Sequence, residues 1–307
     1  MLLLANLFWG LSFPTIKALT QVHAALLPGS GNWFVASMTM APRFLVAVLL
    51  LGLLLGRRIA ATTRLELAQG LRLGFFAGLG MLLQNDGLQF TAASTSAFLT
   101  QFYAILIPVW LALRRRQNPG WRVWVCCLLV LAGSAVLGHF DWKQLSLGRG
   151  ELETLLSSFF FMGQILALDE PRFAGNRPER VSFVMLVLLM VLSWALAFCV
   201  TPSAGALWVF WSQPAWVGMT LVLAIFCTLG AFMLMNAWQP HISSTEAGLI
   251  YCFEPIFGTI ASFCLPAVYS ALAGIHYGNE ALTWSLLLGG GLVTAANVLL
   301  QLKPKVS

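Results

Sequence analysis

Charge is what this chain has least of. Only 9% of its 307 residues are charged and 59% are apolar, whereas soluble domains carry about 25% charge. That balance excludes an ordinary water-soluble globular domain and leaves a polytopic membrane protein. The six cysteines (126, 127, 199, 227, 252 and 264) lie inside apolar runs, with no C-x-x-C pair and no Cys/His cluster. Neither a disulfide framework nor a metal centre is expected from them. No H-E-x-x-H, nucleophile elbow or P-loop occurs, so the chain does not read as an enzyme, and neither ATP as an energy source nor any other cofactor is expected. Nothing alternates apolar with polar over a strand's length, which excludes a transmembrane barrel. The first apolar run has no Lys or Arg before it and no convincing cleavage site, so it reads as a retained span rather than a signal peptide.

What the chain does have is long apolar runs. About 20 mostly apolar residues carry a helix across the hydrocarbon. Ten runs meet that need: 2–20, 33–56, 70–90, 92–113 and 123–137, then 152–168, 181–200, 216–235, 243–269 and 282–300. The expected fold class is an all-α polytopic membrane protein with ten transmembrane helices. Lys and Arg fix the orientation. Arg57, Arg58, Arg64, Arg72, Arg114, Arg115, Arg116, Arg122, Arg172, Arg177, Arg180, Lys303 and Lys305 all fall on one side. The other side has only Lys143 and Arg149, and both termini are therefore expected in the cytoplasm. The +6 net charge is thus topological. Arginines scattered over short loops, with no stacking platform, do not make a nucleic-acid surface. Trp208, Trp211 and Trp216 read as interfacial aromatics.

The ten runs divide into two similar sets of five. Gly80, Gln89, Ser94-Thr95, Ala97 and Leu99 stand 150 residues before Gly230, Gln239, Ser244-Thr245, Ala247 and Leu249. Leu3-Leu4 through Trp9-Gly10 likewise resembles Leu155-Leu156 through Met162-Gly163. A five-span unit ends on the opposite side from its start, so the second copy runs upside down. Two inverted five-helix repeats, 1–140 and 148–302, are the expected domains, divided near the polar loop 140–150. Inverted repeats are the architecture of secondary transporters.

Several motifs carry a family likeness. Span one holds Leu7-Phe8-Trp9-Gly10-Leu11-Ser12-Phe13-Pro14 with Lys17, and span two holds Pro42-Arg43-Phe44. Span four holds Thr91-Ala92-Ala93-Ser94-Thr95-Ser96-Ala97-Phe98-Leu99 leading to Pro108. Span nine adds Phe253-Glu254-Pro255, and Gly278-Asn279-Glu280-Ala281-Leu282 leads into the glycine-rich last span. In these motifs the chain resembles the drug/metabolite transporter superfamily, as an EamA family member with two EamA domains. The resemblance implies a carrier of small metabolites, with export favoured. It leaves the cargo open, since the superfamily is similar to carriers of amino acids, sugars, nucleotide sugars and drugs. Asn279 departs from the pattern, in which glycine directly precedes the glutamate.

Charged side chains are costly inside a span, roughly 2.5–3.5 kcal/mol at the helix centre, and they face the bundle interior or water. Arg43 and Glu254 lie at similar mid-membrane depth. They either pair with each other or separately engage a substrate carboxylate and a proton or amine. Lys17 sits near the outer end of span one, within snorkelling reach of the interface. Asn85 and Asp86 near the end of span three read as solvated. Glu246 and Glu280 suit helix N-termini. Pro14, Pro108 and Pro255 interrupt spans one, four and nine, which with span three are expected to surround the pathway. Gln84, Asn85, Thr95, Ser96, Gln101 and Tyr103 would supply polar groups there. Trp9 and Phe13 would stack on an apolar part of the substrate. Gly70, Gly74 and Gly78 read as helix packing, as do Gly289, Gly290 and Gly291.

The expected function is secondary transport of a small-molecule substrate by alternating access, as an exporter of amino acids or related compounds in a bacterial cytoplasmic (inner) membrane. A drug or cation efflux carrier is the alternative cargo class. A membrane scaffold or sensor is the alternative without transport. Membrane lipid is an expected partner and nucleic acid is not; the oligomeric state stays open.

Overall fold

With no water in the hydrocarbon to receive backbone N–H and C=O groups, an apolar segment satisfies them internally by coiling into a helix. Among the described residues of the computed structural model, every regular element is helical. Those residues are 1–91, 93–116, 118, 120–137, 148–281 and 283–301. Ala92, Lys143, Leu282, Lys303 and Lys305, with most of the expected boundary loop, lie outside them.

The first half contains α1 (Leu2–Leu26), α2 (Asn32–Leu55), α3 (Arg64–Phe90), α4 (Ala93–Thr100), α5 (Tyr103–Arg115) and α6 (Trp121–Leu137). The second contains α7 (Arg149–Leu168), α8 (Pro178–Val200), α9 (Pro214–Val222), α10 (Ala231–Trp238), α11 (Ser244–Tyr251), α12 (Glu254–Ala261), α13 (Leu265–Ala273) and α14 (Trp284–Gln301). A π-helical stretch, Leu223–Gly230, joins α9 to α10. Five helical stretches are long and apolar enough to cross a membrane, at Leu2–Leu26, Asn32–Ala61, Arg149–Leu168, Pro178–Val200 and Pro214–His241. A sixth is formed if Ser244–Ala261 and Leu265–Ala273, bent by 55°, count as one span. The described helices therefore give five or six crossings by length where the sequence predicts ten. The difference has local causes. Gln84-Asn85-Asp86 dilutes the apolar character of α3, and a turn at Gln101–Phe102 cuts the fourth run in two. The fifth and tenth runs form the helices Trp121–Leu137 and Trp284–Gln301, of which only Trp121–Gly133 and Leu287–Ala296 count here.

Helix starts follow their sequence signals. The Thr63 hydroxyl accepts from Glu66 N at 3.2 Å, while Glu66 Oε2 accepts from Thr63 N at 2.7 Å. Ser243 and Glu246 form the same reciprocal cap on α11, as expected for Glu246. Glu66 also accepts from Arg177 N at 3.2 Å and lies 3.5 Å from Arg180 Nη1. Burial opposes its charge, but the Thr63 and Arg177 N–H groups, the Thr63 hydroxyl and Arg180 outweigh that and hold its carboxyl below the usual glutamate range. A depressed carboxyl stabilises the fold above its unfolded pKa, and the gain disappears as pH falls through the folded value. The stability difference between wild type and Glu66→Gln should accordingly shrink when thermal unfolding is compared at pH 7 and pH 4. A difference that grows on acidification would contradict this role.

Small residues set the helix contacts, as packing in lipid requires. Gly70, Gly74 and Gly78 seat α3 on α8, where an added Cβ would come within 2.5, 3.0 and 3.2 Å of Val184, Leu188 and Leu192. Helix α6 meets α14 at Gly133, against the Gly289 carbonyl. Gly291 differs from the packing expected of it: nothing lies within 4 Å of where its Cβ would stand.

Two further expectations change. Asp86 is not solvated; its side chain is fully buried and paired with Arg149 at the start of α7. Arg149 reaches it while stacked 4.6 Å from the Phe90 ring centre. Trp216 is likewise no interfacial anchor. It is fully buried, donates from Nε1 to His23 Nε2 at 3.0 Å, and stacks on Phe210 at 5.6 Å. The 3-10 turns at Ala204–Leu207 and Val209–Ser212 fold the preceding loop inward and bring Phe210 under it.

Candidate functional site

The fourth and ninth runs are interrupted at matching places. At the α4/α5 break Phe102 N donates to Leu99 O at 3.2 Å, and at the α11/α12 break Cys252 N donates to Leu249 O at 3.2 Å. These are 3-10-type turns, 150 residues apart. Pro255, in the first turn of α12, has no N–H to continue the ladder across the second break. Pro108 and Pro14, by contrast, sit inside unbroken α5 and α1.

A cavity of about 70 Å³ opens between the two breaks. Helices from both halves line it: Trp9 and Ser12 of α1, Gln84 of α3, Tyr103 of α5, Gln164 of α7, Phe232 of α10, Tyr251 of α11 and Glu254 of α12. Arg43 of α2 completes the wall. Aromatic rings form one side, with the Trp9 ring 5.4 Å from Tyr251 and 5.8 Å from Phe232, both edge-on. The Tyr251 hydroxyl donates to Gln239 at 3.0 Å, which anchors that ring from behind.

The polar groups are far less well partnered. Arg43 is 1% exposed, yet its Nε and Nη1 have no hydrogen-bond partner. Its Nη2 donates only to Met81 Sδ, at 3.8 Å, and its guanidinium carbon lies 4.9 Å from the Phe44 ring centre. Gln164 Nε2 also ends on a thioether, Met235 Sδ at 3.7 Å. Thioether sulfur is a weak acceptor. Glu254 faces the same cavity but forms no ion pair with Arg43, so of the two alternatives mutual pairing is not seen. Gln101 lies beside Glu254 and Tyr103 without closing a well-formed hydrogen bond to either.

Five residues singled out in the sequence thus meet here: Trp9, Arg43, Gln84, Tyr103 and Glu254. Phe13 and Pro255 line a separate void of about 10 Å³, with Thr259, Ser262 and Glu280. Lys17 bonds to Leu88 O at 3.0 Å and ties α1 to the end of α3. Asn85 is engaged by Met81 O and Thr39. Ser96 contacts Thr154 at 3.3 Å and joins α4 to α7. Pro14 is buried within α1, and the side chain of Thr95 lies outside the described residues. Ser12, Met81, Thr100, Phe161, Gln164, Phe232, Met235 and Tyr251 were missed. Ser12, Thr100 and Gln164 among them carried a signal, a polar side chain inside an apolar run.

The EamA-like transporter family model matches residues 1–138, which contain the α1, α2 and α4/α5 walls of the cavity. Over that stretch the chain is similar to the EamA-like transporter family. That family is one of transporters, in keeping with the apolar helices long enough to cross a membrane. Similarity extends past the matched half. An uncharacterized transporter of Archaeoglobus fulgidus is 24% identical over 272 residues, covering 87% of this chain and 77% of that protein. A crystal structure superposes with a TM-score of 0.63 at 16% identity, over 97% of this chain and 96% of the other, and so shares the fold.

Proposed function

We propose that this chain is an EamA-like transporter, a secondary carrier of amino acids or related small amphipathic metabolites, working as an exporter by alternating access. The reading includes two inverted five-helix repeats, 1–140 and 148–302, in a bacterial cytoplasmic membrane with both termini cytoplasmic. Packing supports the repeat. Phe161 of α7 rests on Gly80 of α3, and Phe8 of α1 rests in the same way on Gly230. Helix α3 packs on α7 and α8, as the α9–α10 segment packs on α1 and α2. Exchange of the halves also leaves the α2–α8 and α6–α14 contacts in place and turns α5–α11 into α4–α12, a contact that is made as well. Ion pairs Arg72–Glu170 and Asp86–Arg149 tie α3 to α7 at both ends. Rigid rocking of whole halves would break both ties, so bending at the turns in the fourth and ninth runs is the better source of alternating access.

The observation that carries the function is Arg43, a buried guanidinium with two unpartnered nitrogens in the wall of an aromatic cavity opposite Glu254. A carboxylate would replace the methionine sulfur with a charge-assisted bond. Glu254 suits an amine or a coupled proton, and Trp9, Tyr251 and Phe232 suit an apolar side chain. A cationic drug is the weaker fit, because Arg43 would repel it. The scaffold reading rested on a closed Arg43–Glu254 pair, and no such pair exists among the described residues.

Counterflow of an amino-acid panel in proteoliposomes tests this reading. Saturable exchange is expected for at least one cargo, falling at least tenfold in Glu254→Gln and losing its response to a pH gradient. Folded protein that exchanges none of the panel would sink the proposal; exchange unaltered by Glu254→Gln would remove Glu254 from the site.

A further inference from the structure

A second concavity, of about 440 Å³, lies away from the central cavity between α3, α5 and α7, at the end of these helices that carries Arg72, Arg114 and Glu170. Its floor is apolar, formed by Phe76, Phe159 and Leu166. Phe159 is 47% exposed and Trp110 45%, so no other described helix covers this face. Such grooves near the ends of spans receive lipid headgroups when they carry charge.

The charges there are specific. Glu170 is occupied twice, by Arg72 and by Arg172 Nε at 2.7 Å. Two other groups have unused capacity. Arg114 makes no hydrogen bond or ion pair among the described residues. Asp169 accepts from Ser244 N and Oγ at 3.3 and 2.8 Å, both on Oδ2, which leaves Oδ1 unused. The groove therefore offers one free cation and one free carboxylate oxygen above an apolar channel. We propose that it binds phosphatidylethanolamine, with the phosphate on Arg114, the ammonium on Asp169 and an acyl chain along Phe76, Phe159 and Leu166. A phosphatidylglycerol headgroup has no cation for Asp169. A choline headgroup has no N–H to donate to it.

Native mass spectrometry of the purified full chain, with equimolar dioleoyl phosphatidylethanolamine, phosphatidylglycerol and phosphatidylcholine, reads this out. Wild type should retain phosphatidylethanolamine several-fold above the other two. Arg114→Gln should lower retention of all three, and Asp169→Asn should equalise phosphatidylethanolamine with phosphatidylglycerol. Met162→Trp, which fills the groove without touching a charge, should abolish the preference. Equal retention of the three lipids by wild type, or retention unchanged by Arg114→Gln, would overturn the assignment. Arg114 is exposed and unpaired, so this arm remains decisive even where Asp169→Asn disturbs Ser244.

Discussion

Arg43→Met should yield a protein at least as heat-stable as wild type that has lost its saturable flux. The two halves of that expectation share one cause. Arg43 sits in the wall of the cavity with no acidic partner, held only by a methionine sulfur and the face of Phe44. An unpaired charge near mid-membrane costs roughly 2.5–3.5 kcal/mol on insertion scales, and methionine of similar length removes that cost while keeping most of the packing. If the guanidinium binds the substrate carboxylate, its removal forfeits about 1.5–3 kcal/mol of charge-assisted bonding. That corresponds to a roughly 10–150-fold weaker KM for exchange. Arg43→Lys should fall between the two, since a lysine presents a point charge without the planar fork. Thermal unfolding in detergent, read beside counterflow in proteoliposomes, decides the matter. A large drop in Tm with flux intact would make Arg43 a structural residue and leave the cavity without its anchor.

The second large effect concerns Gly10. A Cβ there would stand 2.6 Å from Phe257 Cβ, 2.7 Å from Gly258 N and 2.9 Å from Phe257 C. Backbone atoms cannot turn aside as a side chain can, so Gly10→Ala must force α1 and α12 apart. Overpacking of this kind costs about 1–3 kcal/mol. Gly163→Ala meets only the Phe76 ring, which can rotate, and should cost less. Gly291→Ala meets nothing and should be neutral or slightly stabilising. The order Gly10, Gly163, Gly291 is the test, measured as loss of monodisperse protein on heating. Equal stability for Gly10→Ala and Gly291→Ala would mean that the α1–α12 contact is not tight.

Parting α1 from α12 also moves Glu254, the first residue of α12, so Gly10→Ala should impair flux even in the fraction that stays folded. This link between a packing glycine and the site was only half legible. Trp9-Gly10 and Phe253-Glu254-Pro255 both stand out in the sequence, yet nothing in either says that Gly10 packs on α12 at Phe257 and Gly258. Asp86 teaches the same lesson in reverse. A carboxylate near the end of a span looks solvated until Arg149, 63 residues later, is folded over it.

Membrane residence, helical class and the motif correspondence between halves were all readable without coordinates. Each depends on how a single segment interacts with hydrocarbon or on a comparison of one segment with another, and those properties are local. The Glu246 cap and the glycine face of α3 were readable for the same reason. Tertiary structure decided the rest: that Arg43 and Glu254 face one cavity without pairing, that Gln164 and Tyr251 join its wall, and that Trp216 is buried. Which way a side chain points around its helix is set by the helices packed against it, and residue order along one segment does not contain that information.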